Sequence, residues 1–393
     1  MSANLDSALG WLREQGSTLE DDLASLVTIN SFTDHRDGSL LVAQRLIDLF
    51  NIEGVRVERI ASTSSKFGDH LVFSNDAPGQ PVALIGHLDT VFPPGQFEGY
   101  RRDGALARGP GVLDMKGGLV VVAYALKALA REGLLSSIPV RVIVVADEEV
   151  GSPEGKSIIA SHAGNARSSL VFEAGRARDA IITQRKGTGG LNVIARGKAA
   201  HAGNLHHEGV NAIWALARFV DYAQQLTRYD AGTTVNVGKL VGGQGKNTVP
   251  DLAEAQLDIR FTSIESGNLL IDALGEAARR AERDVPGASI EVRGGIARQP
   301  LERSAASAAL ALAYGQCARE EGLGTDEAPL LGGGSDANTT SALGIASIDG
   351  LGPRGKGFHT VDEQIEVATL IPKTAALVRF LSTAANASTV AGN

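Results

Sequence analysis

Residues 140–152 read VRVIVVADEEVGS. Five of the first seven are β-branched, which predicts a strand too apolar to face water on either side. The strand then runs straight into Asp147, Glu148 and Glu149. Desolvation and mutual repulsion both oppose three adjacent carboxylates at the end of a buried strand, so cations, solvent or protonation must offset them. A strand covered on both faces belongs to a parallel sheet lying between helices, and such sheets bind ligands beyond the carboxyl ends of their strands.

Three more apolar runs end in polar or glycine-rich sequence: PVALIGHLD (81–89), SLVFEAG (169–175) and IASIDGLG (345–352). Between the first of these and the opening strand, GGLVVVAYALKALAREG reads as a helix closed by Gly133. The first thirty residues, GSLLVAQRLIDLF (38–50) and EVATLIPKTAALVRFLSTAA (366–385) carry helical spacing as well. Strands alternating with helices predict an α/β fold with a mostly parallel central sheet flanked by helices.

From about Lys186 the texture changes. GTGGLNVIARGKA and DLAEAQLDIRF alternate like strands, ASIEVRGG adds another, and 207–226 and 266–284 are amphipathic helices. The order β-α-β-β-α-β is that of a ferredoxin-like α+β unit. The expected organisation is a discontinuous catalytic domain, 1–185 and 298–393, with 186–297 inserted as a second domain.

Bulk properties exclude other classes. The 393 residues carry 45 acidic and 37 basic side chains, a net charge of -8, which argues against a nucleic-acid or anionic-lipid partner. The longest apolar run, Leu119 to Leu126, is too short to span a bilayer, and the amino terminus lacks the pattern of a signal peptide. With Cys317 alone no intrachain disulfide can form. The expectation is a cytoplasmic protein. The stretch LVGGQGKNT imitates a phosphate loop, but Leu240 and Asn247 occupy positions that require glycine and Ser/Thr.

His87 and Asp89 stand two apart at a strand end, so both side chains face one way. An imidazole ligand commonly gives its other N–H to a carboxylate, which suits that pair. Asp114, after a glycine-proline turn and before a helix, reads either as an N-cap or as a carboxylate free to bridge two cations. Glu173 repeats the carboxylate-after-strand arrangement, and His359 sits on the glycine-rich GKGFHTVDE loop. A solvated acidic face explains any one of these, but not the whole set. Mixed imidazole and carboxylate donors suit zinc, cobalt or manganese better than calcium.

GHLDTVFP, RGPGVLDMKGG, ADEEVGS, FEAG, AAHAG, GKNTVP, LDIRF, LGGGSDAN and GFHT follow one another along nearly the whole chain. In that order they resemble the co-catalytic zinc family of glutamate carboxypeptidase, acetylornithine deacetylase, succinyl-diaminopimelate desuccinylase and aminoacylase, the first branch most of all. The resemblance implies two Zn2+ per chain, with Co2+ or Mn2+ as substitutes. His87 and Glu173 would hold one ion, Glu149 and His359 the other, with Asp114 and a water bridging them. It implies that Glu148 moves protons, that Asp89 orients His87, and that His201 reaches a partner subunit's site to stabilise an oxyanion. Arg260 would clamp the substrate carboxylate, Asn247 would add a polar contact, and Gly333 would let backbone approach the substrate. The implied activity is cleavage of the amide between an acyl or peptidyl group and a free C-terminal amino acid. An N-acyl amino acid deacylase would use the same residues, and a catalytically silent metal-binding homologue is the remaining reading. The inserted domain would serve as lid and dimerisation surface of a homodimer.

Overall fold

The structure, a computed structural model, describes residues 2–390, with side chains from 3 to 383. The chain forms two compact units. One comprises Arg185–Glu302 with Leu331–Gly334, and the other comprises the rest of the described residues. The tetrapeptide joins the former because the Lys186 N–H donates to the Leu331 carbonyl at 2.8 Å.

The larger unit is built on a six-stranded sheet. Its strands are β1 (Val55–Ile60), β2 (His70–Asn75), β3 (Val82–His87), β4 (Val140–Val145), β5 (Ser168–Val171) and the short Ser347–Ile348, in the spatial order β1-β2-β4-β3-β5 and then Ser347–Ile348. Strand β3 pairs in parallel with both β4 and β5, and Ser347–Ile348 pairs in parallel with β5, whereas β2 is antiparallel to both β1 and β4. The sheet is thus mostly parallel, as the uninterrupted apolar runs imply. All six residues of β3 and all four of β5 are buried. The edge strand β1, VRVERI, is mostly exposed and alternates charge with apolar side chains, which discourages pairing with another chain.

Helix α1 (Lys116–Arg131) connects β3 to β4, and α2 (Gly155–Ala163) carries the chain back across to β5. From β3 the chain passes to β4 on one side and then, across β3, to β5 on the other, so the carboxyl ends of three adjacent parallel strands lie side by side, where such sheets bind ligands. Residues 116–126, 128 and 129 of α1 are all buried, so this helix is covered on every side, as its apolar sequence requires. The helices Ser2–Glu14, Gly16–Val27, Arg36–Leu49, Ala305–Glu320 and Leu370–Val390 complete this unit's layers with α1. Among the described residues no helix is long and apolar enough to cross a membrane.

The second unit has four antiparallel strands: β6 (Gly187–Arg196), β7 (Thr234–Gly242), β8 (Leu252–Phe261) and β9 (Ser289–Arg298), in the order β7-β8-β6-β9. Two helices, α3 (Ala212–Gln224) and α4 (Ile264–Asp284), cover one face. This is the ferredoxin-like arrangement. Its strands bury alternate residues, as along β6, where Gly187, Gly189, Leu191, Val193 and Ala195 face inward. The edge strand β7 leaves Leu240 and Val241 exposed, with Leu252 of β8 and Trp214 of α3 also exposed.

One contact sets how closely α1 approaches the sheet. A Cβ on Gly118 would lie 2.1 Å from the Phe172 carbonyl oxygen, so only glycine lets the helix settle beside Glu173. Gly118→Ala should lower the unfolding free energy by about 1–3 kcal/mol, read from urea denaturation. An unchanged midpoint and slope would show that α1 shifts aside without cost.

Candidate metal centre

The centre is assembled at the ends of three adjacent strands. His87 is the last residue of β3, Glu173 follows β5, and Asp147–Glu149 follow β4. The three carboxylates after β4 divide their work. Asp147 is fully buried and accepts the N–H groups of Glu154 (2.7 Å) and Gly155 (3.1 Å), so it caps α2. Ligand atoms of His87, Glu148 and Glu173 lie within 4.8 Å of one another, and those of Asp114, Glu149 and His359 do the same.

Asp114 joins these two groups. Its Oδ1 is 3.4 Å from His87 Nε2, and its Oδ2 is 3.3 Å from His359 Nε2. Glu173 approaches His87 Nε2 at 3.7 Å, and Glu149 approaches His359 Nε2 at 3.0 Å. The side chains of Asp114, Glu149 and Glu173 are at most 9% exposed, so they are not a solvated acidic face. Nor does Asp114 cap α1, whose N-terminal neighbour Met115 supplies no side-chain cap.

Burial is the largest force on the carboxyls. It pushes Glu173 up to about 8, with the Asp114 charge adding to it, and raises Glu149. For Asp114 burial acts in the same sense, but the adjoining His359 and His87 imidazoles outweigh it and hold the group well below the carboxylate range. His87 is desolvated, yet Glu173 and Asp114 keep its ring well above its ordinary value. His359 is driven up to about 10 by Asp114 and Glu149. The site concentrates negative charge and seeks positive charge. Asp114 Oδ1 is buried and has no hydrogen-bond partner among the described residues. That orphaned oxygen, together with two imidazole-carboxylate groups, fits a pair of divalent cations.

Asp89 does more than its spacing suggested. His87 Nδ1 lies 3.0 Å from the Asp89 backbone carbonyl and 3.4 Å from its carboxylate, so both fix the ring. The same carboxylate accepts the N–H groups of Glu148 and Glu149 at 3.2 Å each and the Thr33 hydroxyl at 2.7 Å. It therefore orients the acidic turn as well as the imidazole.

Sequence reasoning missed two further residues. Lys116 is fully buried and donates to the Leu26 and Ile29 carbonyls, tying the start of α1 to the end of the Gly16–Val27 helix. Burial pulls its ammonium down to about 7, while Glu363 opposes that shift. Glu363, also fully buried, accepts N–H groups from the Asp114 loop. Burial and the Asp114 charge push its carboxyl up to about 8 against the pull of those donors. Its presence in GFHTVDE was visible, but nothing local tells which loop it reaches.

The remaining expected residues lie in the second unit. His201 Nδ1 accepts the N–H groups of Gly203 (3.2 Å) and Asn204 (3.0 Å), which leaves the ring proton on Nε2. Asn247 is adjacent, its carbonyl accepting the Ala202 N–H at 2.9 Å. Arg260 already engages both oxygens of Asp258, at 2.8 and 2.9 Å, and its Nη1 lies 3.4 Å from the Gly332 carbonyl. Gly333 gives its carbonyl to Arg185 Nη1 at 3.2 Å, and a Cβ there would meet nothing within 4 Å.

A family model described as Peptidase family M20/M25/M40 matches residues 83–383. The chain belongs to this family. Carboxypeptidase G2 of Pseudomonas sp. (strain RS-16) is 30% identical over 363 residues, covering 89% of this chain and 85% of that protein. The succinyl-diaminopimelate desuccinylase of Cereibacter sphaeroides (strain ATCC 17023) is 27% identical over 380 residues, covering 91% and 96%. The YXEP protein of Bacillus subtilis, a dinuclear metal-binding peptidase of the M20 family, shares the fold with a TM-score of 0.72 at 14% identity, over 95% and 99% of the chains. This M20 protein is therefore a hydrolase of amide bonds. Its family binds metal in pairs, and the chain presents two groups of candidate ligands.

Because both groups meet at Asp114, Asp114→Ala should abolish tight binding of both ions instead of one. Elemental analysis after dialysis checks this: below about 0.2 ion per chain is expected, on the order of complete loss when a shared ligand goes. Retention of one ion would assign Asp114 to a single site.

Proposed function

We propose that this M20 protein cleaves the amide linking an acyl or peptidyl group to a free C-terminal amino acid, in the manner of a glutamate carboxypeptidase. The observation that carries the reading is Asp114, buried with one oxygen toward each of two imidazoles, each of which has a further carboxylate beside it. His87 and Glu173 would hold one Zn2+, Glu149 and His359 the second, and Asp114 both. The bound metals would supply a Lewis acid for the scissile carbonyl and lower the pKa of a water.

The chain's own groups supply the rest. Glu148 takes the attacking water's proton on a carboxylate oxygen and later delivers it to the departing amine nitrogen. Its backbone is pinned by Asp89, so the carboxylate starts from a fixed turn. His201 donates Nε2–H to the carbonyl oxygen as negative charge develops there, a role supported by the two N–H groups on its Nδ1. Arg260 clamps the substrate's free carboxylate, which takes the place now filled by Asp258, while Asn247 and Gly333 contribute a polar contact and open space. Deacylation of N-acyl amino acids is the second reading, favoured by the desuccinylase relative, which aligns over 96% of its length.

The active unit we propose is a homodimer joined through the second unit, with His201 serving the partner's site. The β7 edge, with exposed Leu240 and Val241, supports this because a strand with one open edge and exposed apolar side chains suits pairing with a second copy. A lone, buried cysteine suits a reducing compartment such as the cytoplasm.

A screen of N-acyl amino acids and dipeptides, each with a free or amidated carboxyl terminus, tests the reaction. Chelator-sensitive hydrolysis of the free acids alone is expected. Glu148→Gln should keep both ions and lose ~10²–10⁴-fold in turnover. Hydrolysis of amidated substrates at equal rates, or a variant within threefold of the parent, would overturn the assigned roles. The dimer is tested by mixing His201→Ala and Glu148→Gln chains under verified exchange. One site of each mixed dimer then carries both lesions and the other neither, so activity should rise to about half per mixed dimer. No recovery would place His201 in its own chain's chemistry or outside it.

A further inference from the structure

The loop that presents His359 is shaped by a few hydrogen bonds of its own. His359 has φ 61°, a left-handed backbone uncommon for a residue with a side chain. The Thr360 N–H and hydroxyl both reach the Gly357 carbonyl, and the Glu363 N–H reaches the Thr360 carbonyl at 3.1 Å. Such a conformation persists only where surrounding contacts over-determine it. His359 itself is half-exposed, with 49% of its side chain accessible, so the loop's anchor must lie elsewhere.

Glu363 supplies that anchor. Its Oε1 accepts the N–H groups of Leu113 (2.8 Å) and Asp114 (3.0 Å), and its Oε2 accepts that of Gly111 (3.3 Å). Three donors from one loop therefore converge on a single carboxylate, a cradle of the kind that ordinarily binds an anion. A carboxylate satisfies it because both oxygens accept. A glutamine can match two donors through its carbonyl oxygen but turns an N–H toward Gly111. The residue is four positions from His359 and hydrogen-bonds the backbone of Asp114 itself, so it fastens the carriers of two candidate ligands to each other.

We propose that Glu363 is a positioning residue for the metal pair, locking the His359 loop to the Asp114 loop so that both imidazoles and the shared carboxylate meet in register. This rests on the dinuclear reading above. Glu363 belongs to neither group of candidate ligands, and its effect is carried through the main chain of Asp114. Residues that hold ligands in this way typically contribute ~10–100-fold to metal affinity.

The test is titration of the metal-free protein with Co2+ alone, read by visible absorption, for the parent, Glu363→Gln and Glu363→Ala. Far-ultraviolet circular dichroism and the melting temperature of each metal-free protein are recorded alongside. The parent should take up two equivalents. Glu363→Ala should bind at least one of them ~10–100-fold more weakly with an altered spectrum, and Glu363→Gln should fall between. If Glu363→Ala does not fold, Glu363→Gln decides by the same criteria. Wild-type affinity and spectrum in a folded variant, even with a lowered melting temperature, would make Glu363 a stabiliser of the fold and nothing more. A parent that binds no Co2+ would overturn the dinuclear reading and the proposal with it, a result distinct from the preceding one.

Discussion

The structure turns on one buried carboxylate shared between two imidazoles. Asp114 offers Oδ1 to His87 and Oδ2 to His359, and Glu173 and Glu149 crowd the same rings. Removing such groups from water costs several kcal/mol each, even after relaxation, unless opposite charge accompanies them. Without added cations the two rings must supply it, which is why both are driven far above their ordinary values. Divalent ions would take over that role. The acidic run after β4 therefore stops being a puzzle: one carboxylate caps a helix, and the other two face the centre.

The scaffold makes this crowding geometrically simple. Three adjacent parallel strands end together, and His87 and residues just past the ends of β4 and β5 supply the side chains. Glu148 and Glu149 sit on the turn after β4, and Asp114 and His359 arrive from loops, so their backbone must be held from outside. Asp89 and Glu363 do this by accepting main-chain N–H groups, and Lys116 by donating to main-chain carbonyls. A carboxylate that accepts several backbone donors fixes a loop more firmly than apolar packing does, because each bond has a direction.

Much of this was legible in the residues. Strands buried on both faces betray themselves as unbroken apolar runs, and β3, β4 and β5 were found that way. The β-α-β-β-α-β order of the second unit was equally plain from its change of period. The edge strand β1 was overlooked because VRVERI is charged and exposed. The candidate ligands were found because imidazoles and carboxylates at strand ends are chemically conspicuous. Glu363 and Lys116 were not found, because their partners are backbone groups 87 to 252 positions away, and local pattern carries no trace of such contacts. The Arg260–Asp258 pair was hidden differently: both residues were in view in LDIRF, but alternation alone does not say that neighbours on one strand face will pair.

The most direct measurement is a crystal structure of the protein soaked in Zn2+, with diffraction recorded above and below the zinc absorption edge. Two anomalous peaks should appear about 3.5–4 Å apart, one beside His87 and Glu173, the other beside Glu149 and His359, with Asp114 touching both. A single peak at full occupancy, or two ions that leave Asp114 without a metal contact, would contradict the shared-carboxylate centre.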